Sequence, residues 1–167
     1  ARFIGRPVDP DDPHMRSGYD AWRAYGQSKL ANYHFGIGLQ RQFDATGVDV
    51  RSLIAHPGLT HTDLQATTAR EAGGGWIGGI GDRFTATVGM SAAAGARMQV
   101  RAATDPAGGG GELYAPLLGG LGPAVRRPLL RPRLDVDIRT LWEVSERETG
   151  VRVDVAEALA SLDDAGG

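Results

Sequence analysis

The sequence predicts an α/β fold. Three observations carry this. Residues 20–43 repeat apolar side chains at helical spacing, and the stretch 48–55 that follows is rich in β-branched residues. Two further helical patterns, starting near Ala92 and Asp135, flank a short strand-like run at 112–115. Helix and strand patterns that alternate along a chain imply layers of helix packed on a sheet. The 167 residues suit one domain.

Each element has its own signal. Residues 6–19 are polar and interrupted by Pro7, Pro10, Pro13 and Gly18, which reads as an exposed connection. The first helix puts Leu30, Tyr33, Ile37 and Leu39 on its apolar face, and Thr46-Gly47 stops it. Val48, Val50, Leu53 and Ile54 then make a strand. Residues 65–89 are glycine-rich and lack a regular pattern. Ser91 is placed to cap a helix that runs from Ala92 to about Thr104. A turn at 108–111 leads into the strand at 112–115, and 123–132 is a proline- and arginine-rich connection. Asp135 is expected to cap a last helix with Ile138, Leu141, Trp142 and Ser145 on one side, ended by Gly150. Residues 156–167 are small and acidic and are expected to be a disordered tail.

Composition narrows the function. A hydrophobic share of 41% is enough for a core, and a charged share of 23% is ordinary for a soluble protein. The net charge of -2 points away from nucleic acid and acidic membranes. With no cysteine there is no disulfide framework, zinc-thiolate site or cysteine nucleophile. No run of 18 apolar residues exists, so this part holds no membrane-spanning helix, and cytoplasm is the default location.

The residues with the clearest chemistry are Tyr25-Gly26-Gln27-Ser28-Lys29. Residues four apart share one face of a helix, so Lys29 can hold its positive charge beside the Tyr25 hydroxyl. A tyrosine with an ordinary pKa of about 10 is lowered by roughly 1 to 3 units by a nearby cation. Such a phenol exchanges protons near neutral pH. Taken alone the spacing also describes a solvated helix face with an aromatic anchor.

The longer string Trp22-Arg23-Ala24-Tyr25-Gly26-Gln27-Ser28-Lys29-Leu30-Ala31-Asn32 resembles the active-site helix of the short-chain dehydrogenase/reductase family, and most of all its retinol-dehydrogenase-like branch. Residues 48–55 and the following His56-Pro57-Gly58-Leu59-Thr60-His61-Thr62-Asp63-Leu64 resemble that family's sixth strand and its Pro-Gly-x-x-x-Thr cofactor loop. Residues 90–116 resemble the next helix and last strand, and 135–150 the closing helix. The resemblance covers nearly the whole chain in family order. It implies the C-terminal half of a Rossmann-type doubly wound parallel sheet, with the phosphate-binding N-terminal half absent. Only 24 residues precede Tyr25, whereas one βαβ unit takes about 30 or more. The expected organisation is therefore residues 1–155 as the C-terminal part of a single domain, with a substrate loop at about 65–89.

The resemblance implies an oxidoreductase that moves a hydride between NAD or NADP and a small-molecule carbonyl or alcohol. Tyr25 is then the general acid/base, and Lys29 lowers its pKa and binds the nicotinamide ribose. Pro57, Gly58 and Leu59 border the nicotinamide, and Thr62 reaches its carboxamide or the pyrophosphate. Trp76 and Phe84 belong to a substrate lid whose apolar residues cover a lipophilic substrate. A homo-oligomer is compatible with this reading. Two alternatives stand beside it: an inactive fragment, and a non-catalytic relative that serves as a binding module.

Other patterns weigh less. Gly73-Gly74-Gly75-Trp76-Ile77-Gly78 matches Gly-x-Gly-x-x-Gly but lacks a preceding strand and a later acidic ribose ligand. His14, His34, His56 and His61 show no metal-site spacing, and His56 and His61 are read as neighbours of the Pro-Gly backbone. Trp142 is assigned to packing, and the arginines between 126 and 133 to a solvated connection.

Overall fold

The computed structural model describes residues 5–58, 90–118, 120–127 and 134–165. Helix α1 spans Ala21–Thr46. It starts where the Asp20 carboxylate accepts from the Arg23 backbone N–H at 2.7 Å, one of the orphan donors of a helix N-terminus. It ends at Gly47, in the left-handed region at φ 69°. Strand β1 (Ile54–Ala55) follows. Helix α2 (Ala92–Thr104) has Ser91 as its cap, accepting from Ala94 N–H at 3.2 Å. Then come strands β2 (Leu113–Pro116) and β3 (Ala124–Arg127), and helices α3 (Leu134–Thr149) and α4 (Val155–Ala165).

The three strands form a mixed sheet in the order β1-β2-β3. β1 and β2 are parallel, with Ile54 opposite Leu113 and Ala55 opposite Tyr114. A parallel pair needs a long crossover, and α2 lies within it. β2 and β3 are antiparallel, from Leu113 opposite Arg127 to Pro116 opposite Ala124. A mixed α/β layer with one parallel pair is consistent with part of a Rossmann-like sheet.

The core gathers Leu30 and Tyr33 from α1, Met98 from α2, Leu113 and Tyr114 from β2, and Ile138, Leu141 and Val144 from α3. α2 packs on all three strands, and α1 packs on α3 and α4. Two glycines let α1 approach its neighbours. A Cβ on Gly36 would lie 2.9 Å from Ile54 Cγ1. One on Gly38 would lie 2.7 Å from Trp142 Cε2. Trp142 is half-buried, and its indole stacks on Phe35 with ring centroids 5.1 Å apart. Arg41 pairs with Asp135 on the same seam.

The loop before α1 is fastened rather than free. Asp12 accepts from the N–H of Arg16 at 2.7 Å and of Ser17 at 3.0 Å. Gln27 donates to the Pro13 carbonyl at 2.9 Å, Arg147 to the Pro10 carbonyl at 2.8 Å, and His14 meets Glu148 at 2.9 Å. Met15 is buried there at a φ of 53°, a region that non-glycine residues seldom occupy.

Five sequence expectations need correction. The strand expected over 48–55 pairs only at Ile54–Ala55, because its partner begins at Leu113; upstream, Gly111 N–H meets the Ser52 carbonyl at 2.8 Å and Arg51 donates to the Gly108 carbonyl at 2.7 Å. Within the expected connection at 123–132, Ala124–Arg127 forms β3, completing a hairpin with β2. Asp135 is not the cap of α3: the helix already includes Leu134, and Asp135 lies in its first turn, where its carboxylate faces Arg41. On that helix Ile138, Leu141 and Val144 are buried, whereas Ser145 is exposed. Finally, the tail expected to be disordered carries α4. Asp154 caps it through Glu157 N–H at 3.1 Å, and Gln42 of α1 accepts from Val155 N–H at 2.9 Å.

Candidate active site

The residues with the clearest chemistry sit in the first turns of α1, the helix whose Gly36 meets Ile54 of β1. Tyr25 and Lys29 are one turn apart on α1, and the Lys29 Nζ lies over the Tyr25 ring, 5.4 Å from its centroid. At that distance the ammonium is held by the ring quadrupole. Trp22 meets the other side of Tyr25 edge-on, at 6.4 Å and 85°. Both partners of the Tyr25–Lys29 pair are exposed, Tyr25 by 39%, so proton donor and cation are open to a ligand. The Ser28 hydroxyl does not join them; it donates back to the Tyr25 carbonyl at 2.8 Å.

His56, Pro57 and Gly58 continue directly from β1 and are half-buried. Gly58 has a φ of 76°. A Cβ there would lie 2.5 Å from the Gly120 carbonyl oxygen and 2.6 Å from Pro116 Cγ. Only glycine combines that conformation with that clearance. The turn is thereby pressed onto the end of β2. Ligands of open α/β sheets bind outside the carboxyl ends of parallel strands, where backbone approaches them closely. The exposed Tyr25–Lys29 pair and a side-chain-free turn beyond β1 fit the nicotinamide end of a dinucleotide.

The sequence reading took His56 only as a neighbour of the Pro-Gly backbone. Its N–H donates to the Tyr114 carbonyl at 2.8 Å. Its imidazole is held below the usual 6.5 by burial first, then by the Lys29 positive charge. Strand alternation from Ile54 was the available signal. The other histidines in described positions have structural surroundings: His14 faces Glu148 and His34 is buried on α1. No cluster of metal-ligating side chains occurs among the described residues. Beside Trp22 a cleft of about 820 Å³ opens between α1 and the loop, bordered by Arg6, Asp12, Met15, Trp22 and Arg23. Leu59, Thr62, Trp76 and Phe84, the glycine pattern at 73–78, the expected lid at 65–89 and the arginines beyond Arg127 lie outside the described residues. Arg126 and Arg127 belong to β3, where they donate to the carbonyls of Ala107 and of Pro116 and Leu117, respectively.

Comparison with known proteins adds named relatives. No protein-family model matches. The chain is 42% identical over 82 residues to a polyprenol dehydrogenase of Mus musculus, covering 49% of this chain and 22% of that protein. It is 43% identical over 67 residues to the short chain dehydrogenase/reductase dpmpH of Macrophomina phaseolina, covering 37% and 32%. A probable oxidoreductase of Streptomyces lividans is 43% identical over 63 residues, 37% of this chain and 20% of that protein. The matched segment thus spans between a fifth and a third of these relatives. Among solved structures, an uncharacterized protein from Mycobacterium paratuberculosis superposes with a TM-score of 0.61 at 34% identity, over 89% of this chain and 46% of that one. No helix in the described residues is long and apolar enough to cross a membrane. Relatives named dehydrogenase, reductase and oxidoreductase support short-chain dehydrogenase/reductase kinship and a redox function over the matched segment.

Proposed function

We propose that this chain is the tyrosine- and lysine-bearing part of an NAD(P)-dependent short-chain dehydrogenase/reductase of the retinol-dehydrogenase-like branch. The observation that carries the reading is the Lys29 ammonium held 5.4 Å over the Tyr25 ring, on the exposed face of α1. Lys29 stabilises the phenolate of Tyr25 and holds the nicotinamide ribose. Tyr25 gives its proton to the developing alkoxide during reduction and takes it from the alcohol during oxidation. Pro57 and Gly58, with Leu59 and Thr62 following, hold the nicotinamide end by backbone approach. A nicotinamide dinucleotide supplies or accepts the hydride when bound.

The substrate is a lipophilic alcohol or carbonyl compound. The mouse relative's name, polyprenol dehydrogenase, supports that class, and Trp76 and Phe84 are proposed to cover the substrate. The test is NADPH and NADH oxidation at 340 nm with a long-chain isoprenoid aldehyde, and the reverse reaction with the alcohol. Turnover that vanishes in Tyr25→Phe supports the reading. Turnover unchanged in that variant defeats it. A second reading is an inactive fragment or a non-catalytic relative that serves as a binding module. Absence of turnover with either nicotinamide dinucleotide and every substrate tried identifies it.

A further inference from the structure

We propose that the cleft between the loop of residues 6–18 and the first turns of α1 is a subsite for an acidic headgroup, a carboxylate or a phosphate, carried on an apolar body. The cleft holds about 820 Å³, inside the range of small-molecule sites, about 300–1,000 Å³. Its walls are of two kinds. Trp22 and Met15 give it apolar surface, and Arg6 and Arg23 border it with charge. The Trp22 side chain is 54% exposed, so its indole offers a ligand a large apolar face.

The loop side of the cleft is preformed. Asp12 ties the loop into a turn by accepting from the N–H groups of Arg16 and Ser17 and from the Ser17 hydroxyl. The Met15 N–H donates to the Asp12 carbonyl at 3.1 Å. These bonds hold Met15 buried at a φ of 53°. A methionine stays in that region only where its surroundings impose it. Gln27 and Arg147 donate to the Pro13 and Pro10 carbonyls and fasten the loop from outside.

The unused hydrogen-bonding groups decide the charge of the ligand. Asp9 and Asp12 also border the cleft. Both Asp12 oxygens are taken by the loop, and Asp9 accepts from the Asp11 N–H at 3.0 Å. Among the described residues, neither the Arg6 nor the Arg23 guanidinium makes a hydrogen bond or an ion pair. Each guanidinium has five N–H donors and no acceptor. The cleft therefore has many donors to give and few acceptors to offer, which selects an anion. Guanidinium groups recognise carboxylate and phosphate through paired N–H···O bonds. Two arginines against two aspartates leave the cleft near neutral, so recognition works through close hydrogen bonds rather than long-range attraction.

Trp22 joins this cleft to the candidate active site, because its ring borders the cleft and meets Tyr25 edge-on at 6.4 Å. The substrate half of the inference rests on the oxidoreductase reading. A substrate with its carbonyl at Tyr25 lays an apolar chain across Trp22 and sets its acid group against Arg6 or Arg23. The substrate class is then a lipophilic alcohol or carbonyl compound with a carboxylate or phosphate at its far end.

The binding half is tested by calorimetric titration of the full chain with octanoate, octyl phosphate and octanol as the neutral control. At least one anion should bind about tenfold or more tightly than octanol, and Arg6→Gln and Arg23→Gln should each weaken it about tenfold, the scale of one charged hydrogen bond. Tighter octanoate identifies a carboxylate, tighter octyl phosphate a phosphate, and either supports the subsite. Octanol that matches the anions, no binding of any of the three, or an unchanged affinity in the double variant overturns it. The substrate half is tested by NADPH oxidation with a medium-chain aldehyde carrying the preferred headgroup at its other end, and with the methyl ester of that compound. Arg6→Gln and Arg23→Gln should raise KM for the acid while leaving kcat and the ester unchanged. Equal effects on acid and ester, or turnover of the ester alone, overturn the substrate assignment. Absence of turnover with these aldehydes and with the isoprenoid aldehyde defeats the oxidoreductase reading, and the titration still decides the subsite.

Discussion

Replacing Gly58 by alanine separates two forces at the candidate cofactor turn. A non-glycine residue in the left-handed region costs about 1–2 kcal/mol. Alanine also restricts the unfolded chain, which offsets roughly 0.4–1 kcal/mol. Gly47, at φ 69° with nothing within 4 Å of an added Cβ, isolates these two effects, so Gly47→Ala should lose about 1 kcal/mol. Gly58 has nearly the same φ, 76°, but its Cβ would meet the Gly120 carbonyl oxygen at 2.5 Å and Pro116 Cγ at 2.6 Å. Neither is the free end of a flexible side chain. Overpacking of this kind adds about 1–3 kcal/mol, bringing Gly58→Ala to about 2–4 kcal/mol. Urea unfolding followed by circular dichroism measures both variants, with an unchanged slope certifying that the same surface unfolds. Equal losses in the two variants would refute the claim that the turn is pressed onto the end of β2. The displaced turn should also weaken nicotinamide-cofactor binding, whereas Gly47→Ala should not.

Three further outcomes are expected. Lys29→Ala should reduce both turnover and cofactor affinity, because one ammonium serves both, and Lys29→Arg should not restore them, since a planar fork replaces a point donor; a titration with unchanged affinity would contradict this. The destabilisation caused by Gly36→Ala should shrink in an Ile54→Ala background, because the added Cβ then loses the atom it meets at 2.9 Å; additive losses in the double-mutant cycle would show that α1 and β1 are not in tight contact. Stability should fall on acidification in two separate windows. His56 has its folded pKa below 6.5, so the unfolded state binds more protons just below that value and stability is lost as pH falls through it. Glu148 and Asp105 are held below 4.5 and 3.8, Glu148 mainly by the His14 hydrogen bond and Asp105 by the Ala107 N–H, and their contribution is lost only at still lower pH. Unfolding midpoints against pH should show the upper window disappear in His56→Gln and the lower one persist.

Much of this organisation is legible in the chain because the signals are local. Ser91 marks a helix start through its hydroxyl, Gly47 and Gly150 mark helix ends through their backbone, and the structure uses them there. The Tyr25–Lys29 pairing follows from helical geometry alone. What stayed hidden depends on distant partners. Val48 and Val50 look like strand residues, but the length of β1 is set by where Leu113 begins. Val125 and its arginine neighbours look like a connection, yet β2 offers an open edge and Arg101 reaches the Ala124 carbonyl. The small, acidic sequence after Val155 is helical because Asp154 caps it and Gln42 holds its first N–H.

The same dependence explains two glycines in the middle of α1. Each costs roughly 1 kcal/mol of helix stability relative to alanine, and an isolated helix would be weakened by both. In this protein the helix is held from outside. Gly36 admits Ile54, and Gly38 admits the Trp142 indole, itself stacked on Phe35. Gln40 adds a third fastening by accepting from Ser52 N–H at 2.7 Å while donating to Asp44 at 2.8 Å. All three lie in the C-terminal part of α1, whereas Tyr25 and Lys29 lie near its start. The C-terminal part thus fixes the helix on β1 and α3, and the first turns carry the exposed phenol and ammonium. Because α1 is a rigid rod between these regions, a shift at Gly36 or Gly38 is transmitted to Lys29. The proposed catalytic pair would gain from that kind of support: reacting groups benefit from being held in place by rigid elements, and small misplacements are costly in rate. The glycines weaken α1 as a helix and strengthen it as a scaffold.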